Sequence, residues 1–565
     1  MKGIDGIRSG MRAAPFRGDV IGFWLIALLV LGAGLGLRDP WPADEPRFAL
    51  VARQMVESGD WLFPHRGPEL YSDKPPLFMW LQAAFYQVVH NWRVAFLLPS
   101  LLASLGTLWC VLDLGHRLHT RRAGLFAGYA LLFAVQFTYQ AKRAQIDPLV
   151  TFWITLSVYG LLRHALRGPD WRMWTLGWFA AGLGTITKGV GAIALLVLLP
   201  AVFASMRGWR GVSLPLRDAR VWWGPLAFIA ACALWLVPML TAAFSNSDPA
   251  YRAYLDDILL RQTVGRYGGD WSHPQPAYYF LGVIAVAWLP TALALPWAVP
   301  AWWRRLRRRD ARVLLPLAWC ALVVLFFSIP SGKRDMYILP ALPMLCVALG
   351  PLLAGLSRRA GPRRAMLVFG VAISAAALVA GLSMVFGEPR FELALRNDRG
   401  IAETGLLGGV MLSVGAWGAA CIAWFRLRQA VRGALWILAG VWLLLSLAGY
   451  PLLNESSSAR GLMTRVGQSI GPDAELGLVG WREQHLLMAD RPAATFGFKA
   501  GTPQQWRAAL RWQRERPQRW LLVRGDAVPT CVDRSRARHI GSSNRRDWWL
   551  VPRTSTQVCP NTPSP

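Results

Sequence analysis

The sequence is poor in charge, and acidic residues are especially scarce. Only 16% of its 565 residues are charged, and 32 Asp and Glu stand against 61 Lys and Arg. It contains no Walker A or GxGxxG-type phosphate loop, which leaves ATP-driven transport without support. Its 7 cysteines form no Cys/His pattern with zinc spacing. These absences argue against nucleotide-driven and zinc-binding proteins.

Long apolar runs are what the chain has instead. Hydrophobic residues make up 54% of it, and runs long enough to cross a bilayer recur between Val20 and Leu453. The predicted fold class is therefore an all-α polytopic membrane protein with about 13 transmembrane helices, if the basic loops between runs are placed on one side.

Positive charge is concentrated in short loops between the apolar runs. A net charge of +29 could suit nucleic acid, but the densest arginine clusters lie at 304–312 and 358–364, between spans. Basic loops that alternate with apolar spans are typical of cytoplasmic faces. The pattern predicts that the N-terminus is cytoplasmic, that the C-terminus lies on the opposite side of the membrane, and that the protein contacts membrane lipids rather than nucleic acid.

Polarity divides the chain into two predicted domains. Residues 1–453 form the membrane domain, and its loop 39–92 lies outside. Within this loop, 75–90 is short for a span and rich in aromatic residues, which predicts a helix lying at the outer interface. Residues 454–565 are polar, and they are predicted to form a small α/β domain with a disordered end. The strand-like runs of this domain are 476–479, 520–523 and 548–551.

Two cysteines lie outside the apolar runs. They are Cys531 and Cys559, whereas the other five fall within predicted spans and are interpreted as small buried hydrophobic residues. In an oxidising compartment these two would form a disulfide.

Ionisable residues gather near the outer ends of the spans. The acids Asp44, Glu45 and Asp147 suit proton acceptance or hydrogen bonding to sugar hydroxyls. Cations at these ends suit an anionic lipid headgroup through charge-assisted hydrogen bonds. The candidate cations and tyrosines at these ends include Arg47, Tyr71, Lys74, Lys142, Arg143, Lys188, Arg261, Arg266, Lys333, Arg334 and Tyr337.

Each of these residues also has an ordinary structural interpretation. A single Lys or Arg at a span end is often an anchor at the lipid surface. Asp147, before Pro148, could be a helix N-cap. Asp44 and Glu45, before Pro46, could simply begin a surface helix. The combination of separate acids with several cations on one face favours a functional site.

The residues in these loops resemble a known family. The chain resembles bacterial polytopic glycosyltransferases of the GT-C type, and it is most similar to the aminoarabinose transferase family, which is related to the protein O-mannosyltransferases. The resemblance rests on motifs in family order, which are Ala43-Asp44-Glu45-Pro46-Arg47-Phe48-Ala49, Tyr71-Ser72-Asp73-Lys74-Pro75-Pro76, Ile146-Asp147-Pro148, Thr187-Lys188-Gly189, Gly265-Arg266-Tyr267, Ser331-Gly332-Lys333 and Tyr337-Ile338-Leu339-Pro340.

The resemblance implies a fold, a donor and residue roles. It implies 13 membrane helices, interfacial helices in the first outer loop and a periplasmic C-terminal domain. The donor would be a sugar on a polyprenyl phosphate such as undecaprenyl phosphate, used at the outer leaflet of the bacterial inner membrane. Asp44 would match the catalytic aspartate of the family, which would orient the acceptor or take its proton, with Glu45 or Asp147 assisting. Residues near the donor phosphate would be Arg47, Tyr71, Lys74, Arg266 and Tyr337, with Lys333 in the same motif.

The expected reaction is an inverting transfer. Direct in-line displacement at the anomeric carbon would invert it, with lipid A, another envelope glycan or a protein as acceptor. Carboxylates can ligate divalent cations, but no preformed ligand set is visible, so we expect no cofactor and no metal. The alternative is a polyprenyl-phosphate-sugar flippase. Transporters place charges near the bilayer midplane, whereas here the charges lie at span ends.

Overall fold

Helices form most of the protein. The computed structural model describes residues 17–260, 274–387, 404–544, 546–557 and 559. The first helices are α1 (Arg17–Gly32), α2 (Glu45–Ser58), α3 (Leu77–Val89), α4 (Trp92–Ala95), α5 (Leu98–Leu118), α6 (Arg121–Leu132), α7 (Val135–Ala141), α8 (Ile146–Arg167), α9 (Trp171–Lys188), α10 (Leu198–Met206), α11 (Trp223–Ser245) and α12 (Pro249–Asp256).

The remaining helices complete the membrane region and enter the C-terminal region. They are α13 (Tyr279–Ala287), α14 (Leu295–Arg307), α15 (Ala311–Ser328), α16 (Ala341–Leu356), α17 (Ala360–Val385), α18 (Thr404–Phe425), α19 (Ala430–Leu444), α20 (Tyr450–Ser458), α21 (Arg460–Ile470), α22 (Glu483–Leu487) and α23 (Thr502–Glu515).

Several helices are long and apolar enough to cross a bilayer, which confirms the polytopic fold class. Within the described residues there are 7 such helices, or up to 8 if a pair bent by 99° counts as one span. The count of about 13 spans stays a prediction. The 7 are Trp92–Leu118, Ile146–Arg167, Ala219–Ser245, Ala311–Ser328, Ala360–Val385, Thr404–Phe425 and Leu427–Ser458.

Glycines allow helices α5, α6 and α16 to pack closely. A Cβ added to Gly124 of α6 would lie 2.3 Å from the backbone oxygen of Leu112 in α5. A Cβ added to Gly350 of α16 would lie 2.5 Å from the backbone oxygen of Ala123. Without a strong hydrophobic drive inside lipid, such close backbone packing is what holds membrane helices together.

The first outer loop folds into helices α2 and α3 with a small hairpin between them. Strands β1 (His65–Arg66) and β2 (Glu69–Leu70) are antiparallel. The helix predicted at 75–90 is α3, but Phe78 is fully buried, with its ring centroid 5.4 Å from that of Phe48 in α2. This aromatic side chain therefore faces the protein core, whereas the sequence suggested the lipid interface.

The C-terminal region contains a five-stranded sheet, in agreement with the predicted strand-like runs. Its strand order is β4-β3-β5-β7-β6, and β3 is parallel to both of its neighbours while β7 is antiparallel to both of its own. The strands are β3 (Glu475–Val479), β4 (Ala493–Thr495), β5 (Arg519–Arg524), β6 (Arg538–Ser543) and β7 (Arg546–Pro552).

A disulfide closes the end of this domain. Cys531 and Cys559 are bonded, with Cα atoms 5.0 Å apart. The other five cysteines are unpaired. The predicted disordered end falls on 560–565, outside the described residues.

The sheet domain packs directly on the first outer loop. Leu50 of α2 is buried in the same apolar cluster as Met463 of α21 and Trp481 after β3. Arg53 of α2 also donates a hydrogen bond to the backbone oxygen of Leu487, at 3.2 Å. Helix α2 is thus held between the membrane helices and the C-terminal domain, and its N-terminus carries the candidate acids.

Candidate active site at the start of helix α2

Asp44 occupies the N-cap position of α2 but does not cap it. Its side chain accepts no capping hydrogen bond, and Pro46 fills the first turn. The carboxylate lies instead 3.5 Å from Nη1 of Arg47, and both side chains keep partial solvent exposure, 20% and 27%. Asp44 does begin a helix, as the structural interpretation expected, yet its oxygens remain available for a ligand.

Glu45, the next residue, is completely buried, and both of its carboxylate oxygens accept hydrogen bonds. Its carboxylate accepts from Arg38 through Nη1 at 2.5 Å and Nη2 at 2.8 Å. It also accepts from the backbone nitrogens of Trp41 at 2.8 Å and Ala144 at 2.9 Å. Burial alone would raise the pKa of Glu45, but the charge and hydrogen bonds of Arg38 outweigh it and hold the pKa below its ordinary value. Glu45 is a permanent carboxylate that joins α2 to the turn between α7 and α8.

That turn is fixed to the end of α1. Nζ of Lys142 donates to the backbone oxygens of Val30 at 2.7 Å and Ala33 at 2.8 Å. These are carbonyls that the end of a helix leaves unpaired, and a cation there also suits the helix dipole. Arg38 donates to the backbone oxygen of Lys142 at 2.9 Å. The segment carrying Asp147 is therefore held beside the segment carrying Asp44.

Asp147 lies in the first turn of α8, where the N-cap is Gln145. Its carboxylate is buried and forms an ion pair with Lys188 at the end of α9. Nζ of Lys188 lies 5.3 Å from the ring centroid of Tyr337. Asp147 is thus neither an N-cap nor free. The structure joins it to Tyr337 through Lys188, which the sequence analysis counted among the outer cations but did not pair with Asp147.

Tyr71 follows the hairpin and is almost fully buried, with 1% exposure. Its hydroxyl has no hydrogen-bond partner among the described residues. Burial raises the pKa of the phenol well above its ordinary value, and the neighbouring charge of Arg47 opposes the rise. The phenol therefore stays protonated at neutral pH and can donate a hydrogen bond to an anion.

The C-terminal domain contributes an acid to the same cluster. Glu483 of α22 is buried and accepts from Nε of Arg47 at 2.9 Å. Nη1 of Arg66 lies 3.7 Å from the same carboxylate oxygen, and 3.3 Å from Asp73. No motif or spacing in the sequence marks Glu483, because it lies far along the chain from Arg47, and the packing of its domain on the loop is a tertiary feature.

A second contact from this domain reaches the loop near Tyr71. Lys499 lies 3.6 Å from Asp257 and 3.9 Å from Asp73. Ser72 donates a hydrogen bond to Asp257, which follows α12. These contacts join the first outer loop, the segment after α12 and the C-terminal domain around Tyr71.

Three further residues were predicted to bind the donor phosphate, and the structure describes two of them, Lys74 and Lys333. Lys74 is half-buried in the proline-rich turn before α3. Lys333 is buried, and its Nζ donates to the backbone oxygen of Gln275 at 3.0 Å. This contact joins the loop before Tyr337 to the segment after 273. Arg266 lies outside the described residues.

The cluster offers acids and cations but no metal centre in the described residues. No group of three or more His, Cys, Asp or Glu side chains there is arranged to hold a metal ion. The expectation that the protein uses no cofactor stays a prediction.

Polytopic helices, an acid beside a cation at the start of α2 and a C-terminal α/β domain packed on the first outer loop match one class, the membrane glycosyltransferases of GT-C architecture. ArnT from Cupriavidus metallidurans, in crystals bound to undecaprenyl phosphate, shares the fold with a TM-score of 0.73 at 20% identity, over 95% of this chain and 98% of that one. The oligosaccharyltransferase of Archaeoglobus fulgidus has a TM-score of 0.50 at 14% identity, covering 89% of this chain and 69% of that one.

Sequence comparison identifies the family. Residues 73–237 match the family described as dolichyl-phosphate-mannose-protein mannosyltransferase. The undecaprenyl phosphate-alpha-4-amino-4-deoxy-L-arabinose arabinosyl transferase of Pseudomonas aeruginosa is 30% identical over 454 residues, 76% of each chain. The protein of the same name from Pectobacterium carotovorum is 29% identical over 377 residues, 64% of each chain.

The chain belongs to the aminoarabinose transferase family. It is a glycosyltransferase, and of the two functions the sequence left open, these findings favour the transferase over the flippase. The family resemblance expected from the loop motifs is confirmed.

Proposed function

We propose that this protein transfers 4-amino-4-deoxy-L-arabinose from undecaprenyl phosphate to an acceptor at the periplasmic face of the bacterial inner membrane. The donor and sugar are those named for relatives that match 76% of the chain. The Cys531–Cys559 disulfide supports a periplasmic C-terminal domain, because disulfides persist in oxidising compartments. A cytoplasmic N-terminus follows from the arginine-rich loops.

The observation that carries the proposal is the partly exposed pair of Asp44 and Arg47 together with the buried hydroxyl of Tyr71, which has no partner among the described residues. Asp44 supplies a carboxylate and Arg47 a cation at the start of α2, and Tyr71, after the hairpin, supplies a buried hydrogen-bond donor within the electrostatic influence of Arg47. A phosphate held there would accept charge-assisted hydrogen bonds. Lys74, Arg266, Lys333 and Tyr337 are proposed to complete the phosphate site from the neighbouring loops.

In the proposed reaction the acceptor oxygen attacks the anomeric carbon. The bond between that carbon and the phosphate oxygen breaks, and undecaprenyl phosphate leaves as a monoester. Arg47 and Tyr71 stabilise the charge that develops on the leaving phosphate. Asp44 accepts the proton of a hydroxyl acceptor. If the acceptor is an ionised phosphate of lipid A, it has no proton to lose, and Asp44 instead accepts hydrogen bonds from the hydroxyl groups of the donor sugar.

Glu45 and Asp147 are proposed as positioning residues. Glu45 has its oxygens occupied by Arg38 and two backbone nitrogens, so it fixes the start of α2. Asp147 holds Lys188 beside Tyr337 and so orients the far side of the site. Neither carboxylate is free in this arrangement to take a proton from an acceptor.

The test uses the full-length protein purified in detergent. Wild-type protein is incubated with undecaprenyl phosphate-aminoarabinose and lipid A, and product is measured by mass spectrometry. Transfer is expected without any membrane to cross, which a flippase would not give. Asp44→Ala should abolish transfer, while Glu57→Ala, an exposed acid on the same helix that pairs with Arg53, should keep it. Transfer by Asp44→Ala at the wild-type rate would overturn the assignment.

A further inference from the structure

A large cavity lies at the other end of the membrane helices from Asp44. It has a volume of about 860 Å³ and is lined by the first half of α1 and by α6, α16, α17 and α19. Gly18 at the start of α1 lines it, whereas the end of α1 contacts Lys142 beside the active site. A helix of this length spans roughly 24 Å. The cavity is therefore separate from the site that binds the donor in the proposed function.

The rim of this basic cavity carries a strong positive charge. Five arginines line it against a single acid, Asp19. Arg363 donates to the backbone oxygen of Ser357 at 2.9 Å, and Arg432 donates to the side chain of Gln429 at 3.3 Å. Within the described part of the chain, none of the five forms an ion pair. The five are Arg122, Arg358, Arg363, Arg428 and Arg432.

The interior of the basic cavity is apolar and deep. Along α6, the lining extends from Arg122 at the rim to Phe133, a depth of roughly 16 Å at 1.5 Å per residue. Leu435 and Ala439 of α19 line the cavity opposite. A soluble anion would use only the rim, whereas a molecule with a charged head and an apolar tail would fill both parts.

We propose that the basic cavity binds an anionic phospholipid, with the phosphate of its headgroup among the rim arginines and an acyl chain along α6. Basic pockets between membrane helices on the cytoplasmic side suit anionic headgroups. The volume lies within the roughly 300–1,000 Å³ typical of small-molecule sites. The bound lipid joins α1, α6, α16, α17 and α19 at the face opposite the active site.

Native mass spectrometry of the purified full-length protein tests the proposal. The probes are phosphatidylglycerol, phosphatidylcholine and water-soluble glycerol phosphate. Wild-type protein should retain phosphatidylglycerol in preference to phosphatidylcholine. Replacing both Arg358→Gln and Arg428→Gln should weaken this retention roughly tenfold to thirtyfold, since each arginine near an anionic headgroup contributes about 1 kcal/mol.

A charge-matched control separates the cavity from general surface charge. Arg304→Gln with Arg308→Gln removes two exposed arginines from the neighbouring basic loop, and neither lines the cavity. This variant should retain phosphatidylglycerol like wild type. An equal loss in both double variants, or no loss in the cavity variant, would overturn the proposal.

A second variant fills the apolar part and leaves every charge in place. A Cβ on Gly22 of α1 would meet nothing within 4 Å, so Gly22→Leu enters the cavity without backbone clash and favours the helix. It should also lose phosphatidylglycerol. Retention unchanged by Gly22→Leu, or full competition by glycerol phosphate at equal concentration, would show that no acyl chain occupies the cavity.

Discussion

Asp44 and Glu45 are neighbours in the chain, yet they belong to two different ion networks. Glu45 lies in the network behind the start of α2, where Arg38 and two backbone nitrogens occupy its oxygens and exclude solvent. Asp44 lies in the network in front, where Arg47 is 3.5 Å away and both groups remain partly exposed. The rear network holds the scaffold, and the front network has capacity left for a ligand.

The rear network extends to a second acid with the same character. Asp39 accepts hydrogen bonds from Arg93, Arg460 and Asn454, at distances of 2.6–3.1 Å. Arg460 begins the first helix after the last span, so this acid links the outer loop to the C-terminal domain. Buried charges that are fully paired preserve geometry, and breaking one pair leaves the other charge uncompensated.

The largest expected effect comes from breaking the rear network at Glu45. Glu45→Ala leaves Arg38 buried without its carboxylate, so the free energy of unfolding should fall by about 3–5 kcal/mol. Thermal unfolding of the purified protein measures this. Glu57→Ala, on the exposed side of the same helix, is the control and should change it by less than about 0.5 kcal/mol. A Glu45→Ala protein as stable as wild type would contradict the proposal that Glu45 stabilises the fold.

Tyr71→Phe tests whether the front network binds a ligand rather than stabilising the fold. The hydroxyl has no partner among the described residues, so its removal should not lower stability. A hydrogen bond to a charged phosphate is worth about 1.5–3 kcal/mol, so transfer should fall roughly tenfold or more. Steady-state transfer rates and thermal unfolding are measured together. Unchanged transfer with lower stability would make Tyr71 a packing residue only.

Acid should weaken the rear network through Asp39. Burial raises the pKa of this carboxyl, but hydrogen bonds from Arg460, Arg93 and Asn454 outweigh it and hold the pKa at about 2. Because the folded value lies below the ordinary one, the stabilisation is complete above pH 4 and is lost as pH falls toward 2.

The size of this acid effect is modest. After allowance for solvent screening, it amounts to about 1–2 kcal/mol. The difference in unfolding temperature between wild type and Asp39→Asn should narrow from pH 4 to pH 2. A constant difference across that range would contradict the assigned role of these hydrogen bonds.

The smallest expected effect concerns Glu483, which shares Arg47 with the donor phosphate. Glu483→Gln removes the negative charge that competes for Arg47, so undecaprenyl phosphate should bind about threefold to tenfold more tightly, or roughly 0.7–1.4 kcal/mol. Binding to the purified protein is measured by titration, with Glu475→Gln, whose carboxylate pairs with Arg516 and Arg519 rather than with Arg47, as the control. Weaker binding in Glu483→Gln would mean that Glu483 orients Arg47 instead.

The sequence revealed the front network better than the rear one. Asp44, Arg47 and Tyr71 stand in motifs at a span end, so polarity and the family resemblance both identify them. The side chains of adjacent residues on a helix point about 100° apart. Which of the two faces the interior depends on the tertiary contact that each one makes. For Glu45 that partner is Arg38, whose position depends on Lys142, and sequence spacing does not specify such a contact.

The contact between the C-terminal domain and the candidate site could not be predicted from the sequence for a related reason. The strands at 476–479, 520–523 and 548–551 could be predicted from β-branched and aromatic runs. The docking of α22 on α2 could not, because Glu483 reaches Arg47 across more than four hundred residues of chain. Lys188 did have a signal in Thr187-Lys188-Gly189, and an acid-to-lysine pairing search at span ends would have found it.

The most direct test of two adjacent acids with separate roles compares Asp44→Asn with Glu45→Gln in one preparation. Turnover with undecaprenyl phosphate-aminoarabinose and the unfolding temperature are measured for each. Asp44→Asn should keep the wild-type unfolding temperature and lose about 10²–10⁴-fold in turnover. Glu45→Gln should instead lower the unfolding temperature. Wild-type turnover in Asp44→Asn, together with full stability in Glu45→Gln, would contradict the account.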